Sequence, residues 1–109
     1  MDFTTYQKQS RRTALYPDQG HNFIYPVLGL TGEAGEVAEK IKKVLRDKAG
    51  IISEEDKQEI AKELGDVLWY VSQLTSELGL DLTDIAQGNL DKLQSRLERG
   101  VLAGNGDNR

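Results

Sequence analysis

Two segments of the sequence, GEAGEVAEKIKKVL and KELGDVLWYV, repeat one helical pattern of apolar and acidic residues. At about 100° per residue, counted from Glu33 in the first and Glu63 in the second, the apolar residues of each segment lie between about 20° and 140°. They are Ala34, Val37, Ala38, Ile41, Val44 and Leu45 in the first segment, and Leu64, Val67, Leu68 and Val71 in the second, whose pattern continues beyond it with Leu74 and Leu78. A helix with one apolar face has to bury that face. The pattern therefore predicts two helices that pack on each other.

Turn and capping residues divide the rest of the chain into helices of similar kind. We expect a short helix before Pro17, a second helix from Pro26 to Asp47, a third from the Ser53–Asp56 capping box to Gly79, and a fourth from Leu82 to Gly100. Alternating apolar and polar residues, which would predict a strand, do not occur over any useful length. The sequence predicts an all-α antiparallel helical bundle in residues 1–100, followed by a glycine-rich tail in residues 101–109.

Size and composition restrict the possible partners and metal sites. The chain has 109 residues, enough for one domain with a modest core, so self-association to a dimer or tetramer would bury further surface. Trp69 lies off the apolar face and is expected to pack against another subunit or helix. A net charge of −4 argues against a nucleic-acid or membrane-surface binder. No membrane span or signal peptide is visible, so a cytoplasmic location is expected.

Both predicted helices carry a pair of acids, three residues apart, at the edge of the apolar face. Glu33 and Glu36 form one pair, and Glu63 and Asp66 form the other. If the helices pack through their apolar faces, the four carboxylates converge and repel each other unless a cation neutralises them. With no cysteine and one histidine, the metal ligands have to be oxygens, which favours Mg²⁺, with Mn²⁺ also possible. The alternative is that these acids are solvated surface residues of a non-enzymatic helical oligomerisation module.

Glycines interrupt both helices beside the acids, although each costs a helix about 1 kcal/mol relative to alanine. Gly29, Gly32 and Gly35 lie in the first helix, and Gly65 directly precedes Asp66. A missing side chain permits the close approach of another backbone or of a ligand. We therefore expect these glycines to give the acid-bearing helices room beside their neighbours and beside a substrate.

The order of these motifs resembles that of the MazG family of all-α nucleoside triphosphate pyrophosphohydrolases. The family pattern E-x-x-E, spacer, E-x-x-D is matched by Glu33, Glu36, Glu63 and Asp66, and NLDKLQSR and RGVLAGNGDNR are similar to its third helix and to the C-terminal end of its small members. The resemblance implies Mg²⁺-dependent cleavage of an NTP or dNTP to the monophosphate and pyrophosphate, with nucleotide-pool cleansing as a role. Sibling hydrolases that share the acidic helix pair act on dUTP or phosphoribosyl-ATP, and they remain alternatives.

Within this resemblance, individual residues receive expected roles. The four acids would hold the metal, and Glu36 and Glu63 would also serve in catalysis, although the choice of general base stays open. Tyr70, four residues after Asp66, would contact the base or sugar. Phosphate contacts are expected from Asn89, Lys92 and Arg96, which share one side of the fourth helix, and from Lys43. The tail, whose composition is typical of disorder, would close over the bound nucleotide.

Overall fold

The structure, a computed structural model that describes residues 1–109, is built from helices and contains no strand. Its elements in chain order are α1 (Phe3–Ser10), a 3₁₀ turn (Arg11–Thr13), α2 (Ile24–Asp47), α3 (Glu54–Glu77) and α4 (Leu82–Glu98). The prediction of an all-α chain with one short and three longer helices is confirmed.

The helix ends follow from local hydrogen bonding. Ser53 accepts from the Asp56 N–H, and the Asp56 side chain accepts from the Ser53 N–H, so the predicted capping box opens α3. Helix α2 begins two residues earlier than predicted, because Asn22 Oδ1 accepts from the Tyr25 N–H at 3.0 Å. Pro26 therefore lies inside the first turn, where an N–H has no partner within the helix.

Helices α2 and α3 form a helical hairpin. Gly29 lies against the ring of Tyr70, Lys40 Nζ is 3.6 Å from Glu63 Oε1, and Lys48 Nζ is 2.6 Å from Asp56 Oδ1. Six of the twelve residues of the predicted apolar faces are buried or half-buried, namely Val37, Ile41 and Val44 on α2 and Val67, Val71 and Leu74 on α3. The other six are exposed, namely Ala34, Ala38, Leu45, Leu64, Leu68 and Leu78. The packing of the hairpin thus leaves half of these residues exposed.

The N-terminal segment is attached to α3 mainly by buried polar contacts. Ser10 shares a 2.8 Å hydrogen bond with Ser72, and Arg11 forms a 3.0 Å ion pair with Glu77. The Glu77 side chain is fully buried and accepts from the backbone N–H groups of Gly20 and Asn22. Burial acts to raise the pKa of Glu77, but the hydrogen bonds from Gly20, Arg11 and Asn22 outweigh it and lower the pKa. Glu77 therefore fixes the loop before α2 while remaining ionised.

Trp69 is half-buried and contacts the N-terminal segment of its own chain. Its indole N–H donates to Thr13 Oγ1 at 2.9 Å, and its ring makes edge contacts with Tyr16 and Tyr70. The helical wheel correctly placed Trp69 away from the α2–α3 contact. The segment that covers it carries no periodic signal, so the sequence did not identify the neighbour.

Helix α4 packs against α1 and does not lie along α2. Thr4 and Thr83 share a 2.9 Å hydrogen bond, and the Gln7 side chain bonds the backbone of Leu80 and Leu82. The radius of gyration is 16.8 Å, whereas a compact chain of this length would have about 13 Å. The chain is therefore open, with α4 projecting beside the hairpin.

Candidate active site

Three carboxylates from the two hairpin helices converge at one side of the α2–α3 contact. Glu33 on α2 and Glu63 and Asp66 on α3 each place an oxygen within 4.8 Å of the others. Glu33 and Glu63 are half-buried, and Asp66 is exposed. We call these three residues the acid cluster. Glu36, the fourth predicted acid, is exposed and lies outside the cluster.

The acid cluster carries more negative charge than its surroundings balance. Burial, a hydrogen bond with Glu63 and the charges of Asp66, Glu63 and Glu36 raise the pKa of Glu33. The neighbouring cation is Lys40, whose ammonium is 3.6 Å from Glu63 and whose side chain is partly exposed. One lysine cannot neutralise three converging carboxylates.

The acid cluster has the donor chemistry that a hard divalent cation requires. Mg²⁺ and Mn²⁺ prefer carboxylate oxygens and are often held by only a few carboxylates together with substrate phosphates. A cation here would counteract both the burial and the neighbouring negative charges that raise the pKa of Glu33. The residues present therefore fit a divalent metal, with Glu33, Glu63 and Asp66 as its ligands.

An aromatic cavity of about 330 Å³ lies beside Tyr70, one helical turn beyond Asp66. Tyr16 and Tyr25 stack with ring centroids 4.9 Å apart, and Tyr70 lies edge-on to Trp69 at 5.0 Å. Burial raises the pKa of Tyr70, with further contributions from Tyr25 and from the charges of Glu33 and Asp66. Tyr70 therefore lines this cavity and is also close enough to the acid cluster to be affected by the charges of Glu33 and Asp66.

The glycines of α2 and α3 differ in what they permit. A Cβ at Gly29 would lie 2.1 Å from Tyr70 Cε1, so only a glycine allows the ring to occupy this place. At Gly32, Gly35 and Gly65 an added Cβ would meet nothing within 4 Å. A close approach within the chain thus occurs at Gly29, whereas Gly32, Gly35 and Gly65 border open space, where the expected approach of a substrate stays a prediction.

We expect Gly29→Ala to destabilise the fold by about 1–3 kcal/mol, because the Tyr70 ring has to leave its contacts with Tyr25 and Trp69. The matched substitution Gly32→Ala, in the same helix but facing open space, should stabilise the fold by up to about 1 kcal/mol. Urea unfolding of both variants measures this difference. Equal free energies of unfolding for the two variants would contradict the assigned role of Gly29.

The predicted phosphate contacts lie elsewhere in the single chain. Asn89 is exposed on α4, Lys92 lies 3.9 Å from Asp107, and Arg96 is buried beneath the tail. Lys43 is exposed and forms an ion pair with Glu39 on its own helix. None of these four residues bonds to the acid cluster. Their predicted common site is therefore not assembled by the packing of one chain.

Two further residues lie near the acid cluster, and of these Tyr6 was not predicted. Lys40 lies seven residues after Glu33, and the sequence places it with Lys43 along the acid edge of α2, as a further candidate for phosphate contact. Tyr6 comes from α1, where burial and the charge of Asp66 raise its pKa. The approach of Tyr6 depends on how α1 packs on α3, for which the sequence has no periodic signal.

Sequence comparisons identify the family of the chain. The model of the MazG nucleotide pyrophosphohydrolase domain matches residues 21–101, which contain the acid cluster and Tyr70. The gene 37 protein of Mycobacterium phage L5 is 48% identical over 114 aligned positions that span both chains completely. No solved structure matches the chain, and none of its helices has the length and apolar character to cross a membrane. Because the family match extends over most of its length, the chain belongs to the MazG nucleotide pyrophosphohydrolase family.

Proposed function

We propose that the protein is a Mg²⁺-dependent pyrophosphohydrolase that cleaves an NTP or dNTP to the nucleoside monophosphate and pyrophosphate. The observation that carries this proposal is the acid cluster, in which three carboxylate oxygens lie within 4.8 Å of one another. A triphosphate brings several negative charges of its own, so a site made of acids can accept it only together with cations. Cleansing of the nucleotide pool is a role consistent with this reaction.

The residues of the chain have two roles in this reaction, which are to bind the metal ion and to accept a proton. Glu33, Glu63 and Asp66 would hold Mg²⁺, or Mn²⁺ in its place, and the bound ion supplies charge neutralisation and polarisation of phosphate oxygens. A carboxylate accepts a proton from the attacking water while the water oxygen bonds to the α-phosphorus. The bond from that phosphorus to the bridging oxygen breaks, and pyrophosphate leaves. Glu36 is our candidate for this base, because it is exposed and close enough for its charge to contribute to the raised pKa of Glu33, and Glu63 assists.

The aromatic cavity supports a nucleoside triphosphate as the substrate class. Four of its seven lining residues are aromatic, and a nucleobase stacks favourably on such rings. The lining residues are Thr13, Leu15, Tyr16, Pro17, Tyr25, Trp69 and Tyr70. In our proposal Tyr70 contacts the base or sugar while the phosphates extend toward the acid cluster.

The products formed in the presence of Mg²⁺ test the proposed reaction. We expect at least one substrate from a panel of NTPs, dNTPs, dUTP and phosphoribosyl-ATP to yield a monophosphate and pyrophosphate. Ion-exchange chromatography of the products, followed by a pyrophosphatase-coupled assay, distinguishes this from other cleavage. Orthophosphate and a nucleoside diphosphate as primary products would show that water attacks the γ-phosphorus, which would refute cleavage at the α-phosphorus. Turnover of dUTP alone, or of phosphoribosyl-ATP alone, would favour the corresponding sibling activity.

Self-association is the second part of the proposal. The chain exposes 7737 Å², whereas a compact monomer of 12.2 kDa exposes about 6,100 Å². The excess exceeds the roughly 800 Å² that each partner buries in a standard interface. Ala34, Ala38 and Leu45 on α2 lie on the same side of the hairpin as Leu64 and Leu68 on α3, since the two helices run in opposite directions. We call these five residues the apolar strip.

A second copy covering the apolar strip would complete the antiparallel bundle that the single hairpin begins. The apolar residues of α4 are also exposed, including Ile85, Leu90, Leu93 and Leu97. We retain Asn89, Lys92 and Arg96 of α4 and Lys43 of α2 as phosphate contacts. Their approach to the acid cluster requires packing beyond that of one chain, and a second copy supplies it.

Leu64→Lys should convert a dimer or tetramer into a monomer, because it places a charge within the apolar strip. The matched substitution Gln58→Lys adds the same charge to an exposed position of α3 on the side away from the strip, and should leave the mass unchanged. Light scattering at micromolar concentration measures both variants and the wild type. A folded wild-type monomer would refute self-association, and an unchanged mass for Leu64→Lys would place the interface elsewhere.

A further inference from the structure

The C-terminal tail packs onto the cationic end of α4. Arg96 is 4% exposed, and its Nη2 donates to the backbone carbonyls of Gly106 and Asp107. Arg99 donates to the carbonyl of Arg109 at 2.7 Å. The Arg109 guanidinium in turn donates to carbonyls within the tail, those of Val101, Leu102 and Gly106. The tail, expected from its composition to be disordered, is thus an ordered set of turns that encloses Arg96.

Arg96 is held in this position with much of its bonding capacity unused. Its Nε is buried and has no hydrogen-bond partner, although a guanidinium has five N–H donors. The nearest anion is the Asp107 carboxylate, whose Oδ1 is 4.0 Å from Arg96 Nη2 and 3.9 Å from Lys92 Nζ. These separations are too long for hydrogen bonds. Asp107 is also 91% exposed, so water weakens its attraction to both cations.

We propose that residues 101–109 form a latch that withholds Arg96 and Lys92 from phosphate, and that a polyphosphate opens the latch by replacing Asp107 and the tail carbonyls. The latch rests on the proposed function, since that function assigns phosphate oxygens to these two cations. Opening would regulate the same site, because substrate phosphates would themselves release the residues that bind them.

A polyphosphate can outcompete the tail because it offers what the tail lacks. Its oxygens carry full negative charge and can accept two parallel bonds from one guanidinium, whereas the tail presents neutral carbonyls and a distant carboxylate. It could also bond Lys92, which the tail approaches only through the same carboxylate. The tail keeps its advantage in the free protein because it is attached to α4 and needs no encounter in solution.

Binding of inorganic tripolyphosphate in the presence of a chelator tests the latch without requiring turnover. By calorimetry, Asp107→Asn should bind tripolyphosphate about two- to five-fold more tightly than wild type, as expected for removal of an exposed competing charge. The control Asp84→Asn makes the same charge change in the first turn of α4, far from Arg96, and should leave the affinity unchanged. Equal affinities for wild type and Asp107→Asn would overturn the latch.

Two further variants test the cations. Arg96→Lys should weaken tripolyphosphate binding at least about tenfold, since a lysine cannot make the paired guanidinium bonds. If the buried substitution prevents folding, Lys92→Gln at a partly exposed position provides the same test with a smaller loss. Wild-type affinity in a folded variant at either position would overturn the latch.

Hydrogen exchange distinguishes a tail that the ligand releases, which is the latch proposed here, from a tail that closes over the ligand as a lid. The amides of Val101 and Gly104 bond to the carbonyls of Arg96 and Val101, respectively. Tripolyphosphate should accelerate exchange at both amides if it releases the tail. Slower exchange at these amides with bound tripolyphosphate would show that the tail closes over the ligand and would overturn the latch. Because no hydrolysis is involved, a protein that passes these tests yet cleaves no nucleotide would refute the proposed function alone.

Discussion

Glu63→Gln should lower the rate of pyrophosphate release by about a hundred-fold or more at saturating nucleotide and Mg²⁺. Glutamine keeps the size of the side chain but removes the charge that holds a divalent cation. Loss of a residue that merely supports a metal ligand costs about 10- to 100-fold in affinity or activity, so loss of a ligand should cost at least as much. Steady-state kinetics with purified wild type and variant provide the measurement.

The control for this experiment is Glu59→Gln, one turn earlier on α3. Glu59 forms a surface ion pair with Lys62 at 2.9 Å and lies outside the acid cluster, so its neutralisation should change the rate by less than about twofold. Circular dichroism should give the same helix content for both variants. Wild-type activity of Glu63→Gln would show that Glu63 is neither a metal ligand nor a catalytic residue.

The parts of the site that were predictable from the sequence depend on helical periodicity. The spacing of Glu33, Glu63 and Asp66 at the edges of two apolar faces was enough to predict that they meet, because both helices are long and regular. The same spacing grouped Glu36 with them. Asp66 stands in the same three-residue relation to Glu63 and is also exposed, yet it belongs to the acid cluster and Glu36 does not, so the spacing alone did not distinguish these two acids.

The parts that the sequence did not predict depend on contacts between distant segments. Glu77 fixes the loop that carries Tyr16, and the hydrogen bonds at this buried carboxylate form no repeating pattern in the sequence. The packing of α4 on α1 depends on polar contacts such as that between Thr4 and Thr83. The burial of Arg96 depends on a tail without periodicity. In each case the determining interaction is a specific long-range contact.

The stability of the metal-free protein should reveal whether the acid cluster is a metal site or a structural group of acids. The pKa of Glu33 is raised from its ordinary value of 4.5, so the folded state holds more protons than the unfolded state at pH values above 4.5. This contribution to stability therefore falls as pH rises through the window between 4.5 and the raised pKa. The glutamine side chain of Glu33→Gln does not titrate in this pH window, so the variant lacks this pH-dependent loss of stability.

In chelator, Glu33→Gln should thus be at least as stable as wild type at pH 7, and the difference between them should vanish below about pH 4.5. Glu39→Gln is the control with the opposite sign. A hydrogen bond from Lys42 lowers the pKa of Glu39, so its contribution to stability is present above pH 4.5 and is lost as pH falls through the lowered pKa. Neutralising Glu39 should slightly destabilise the protein at pH 7.

The increase in melting temperature that Mg²⁺ causes should differ between these variants. At ten times its dissociation constant, an ion that binds only the folded state adds about 1.4 kcal/mol, or roughly 6–11 °C in melting temperature for a domain of this size. Wild type and Glu39→Gln should both show this increase, whereas Glu33→Gln should lose most of it. Thermal melts with chelator and with Mg²⁺ test the comparison. A chelated Glu33→Gln that melts below wild type at pH 7, together with no Mg²⁺ effect on wild type, would mean that these carboxylates form structural pairs and hold no metal.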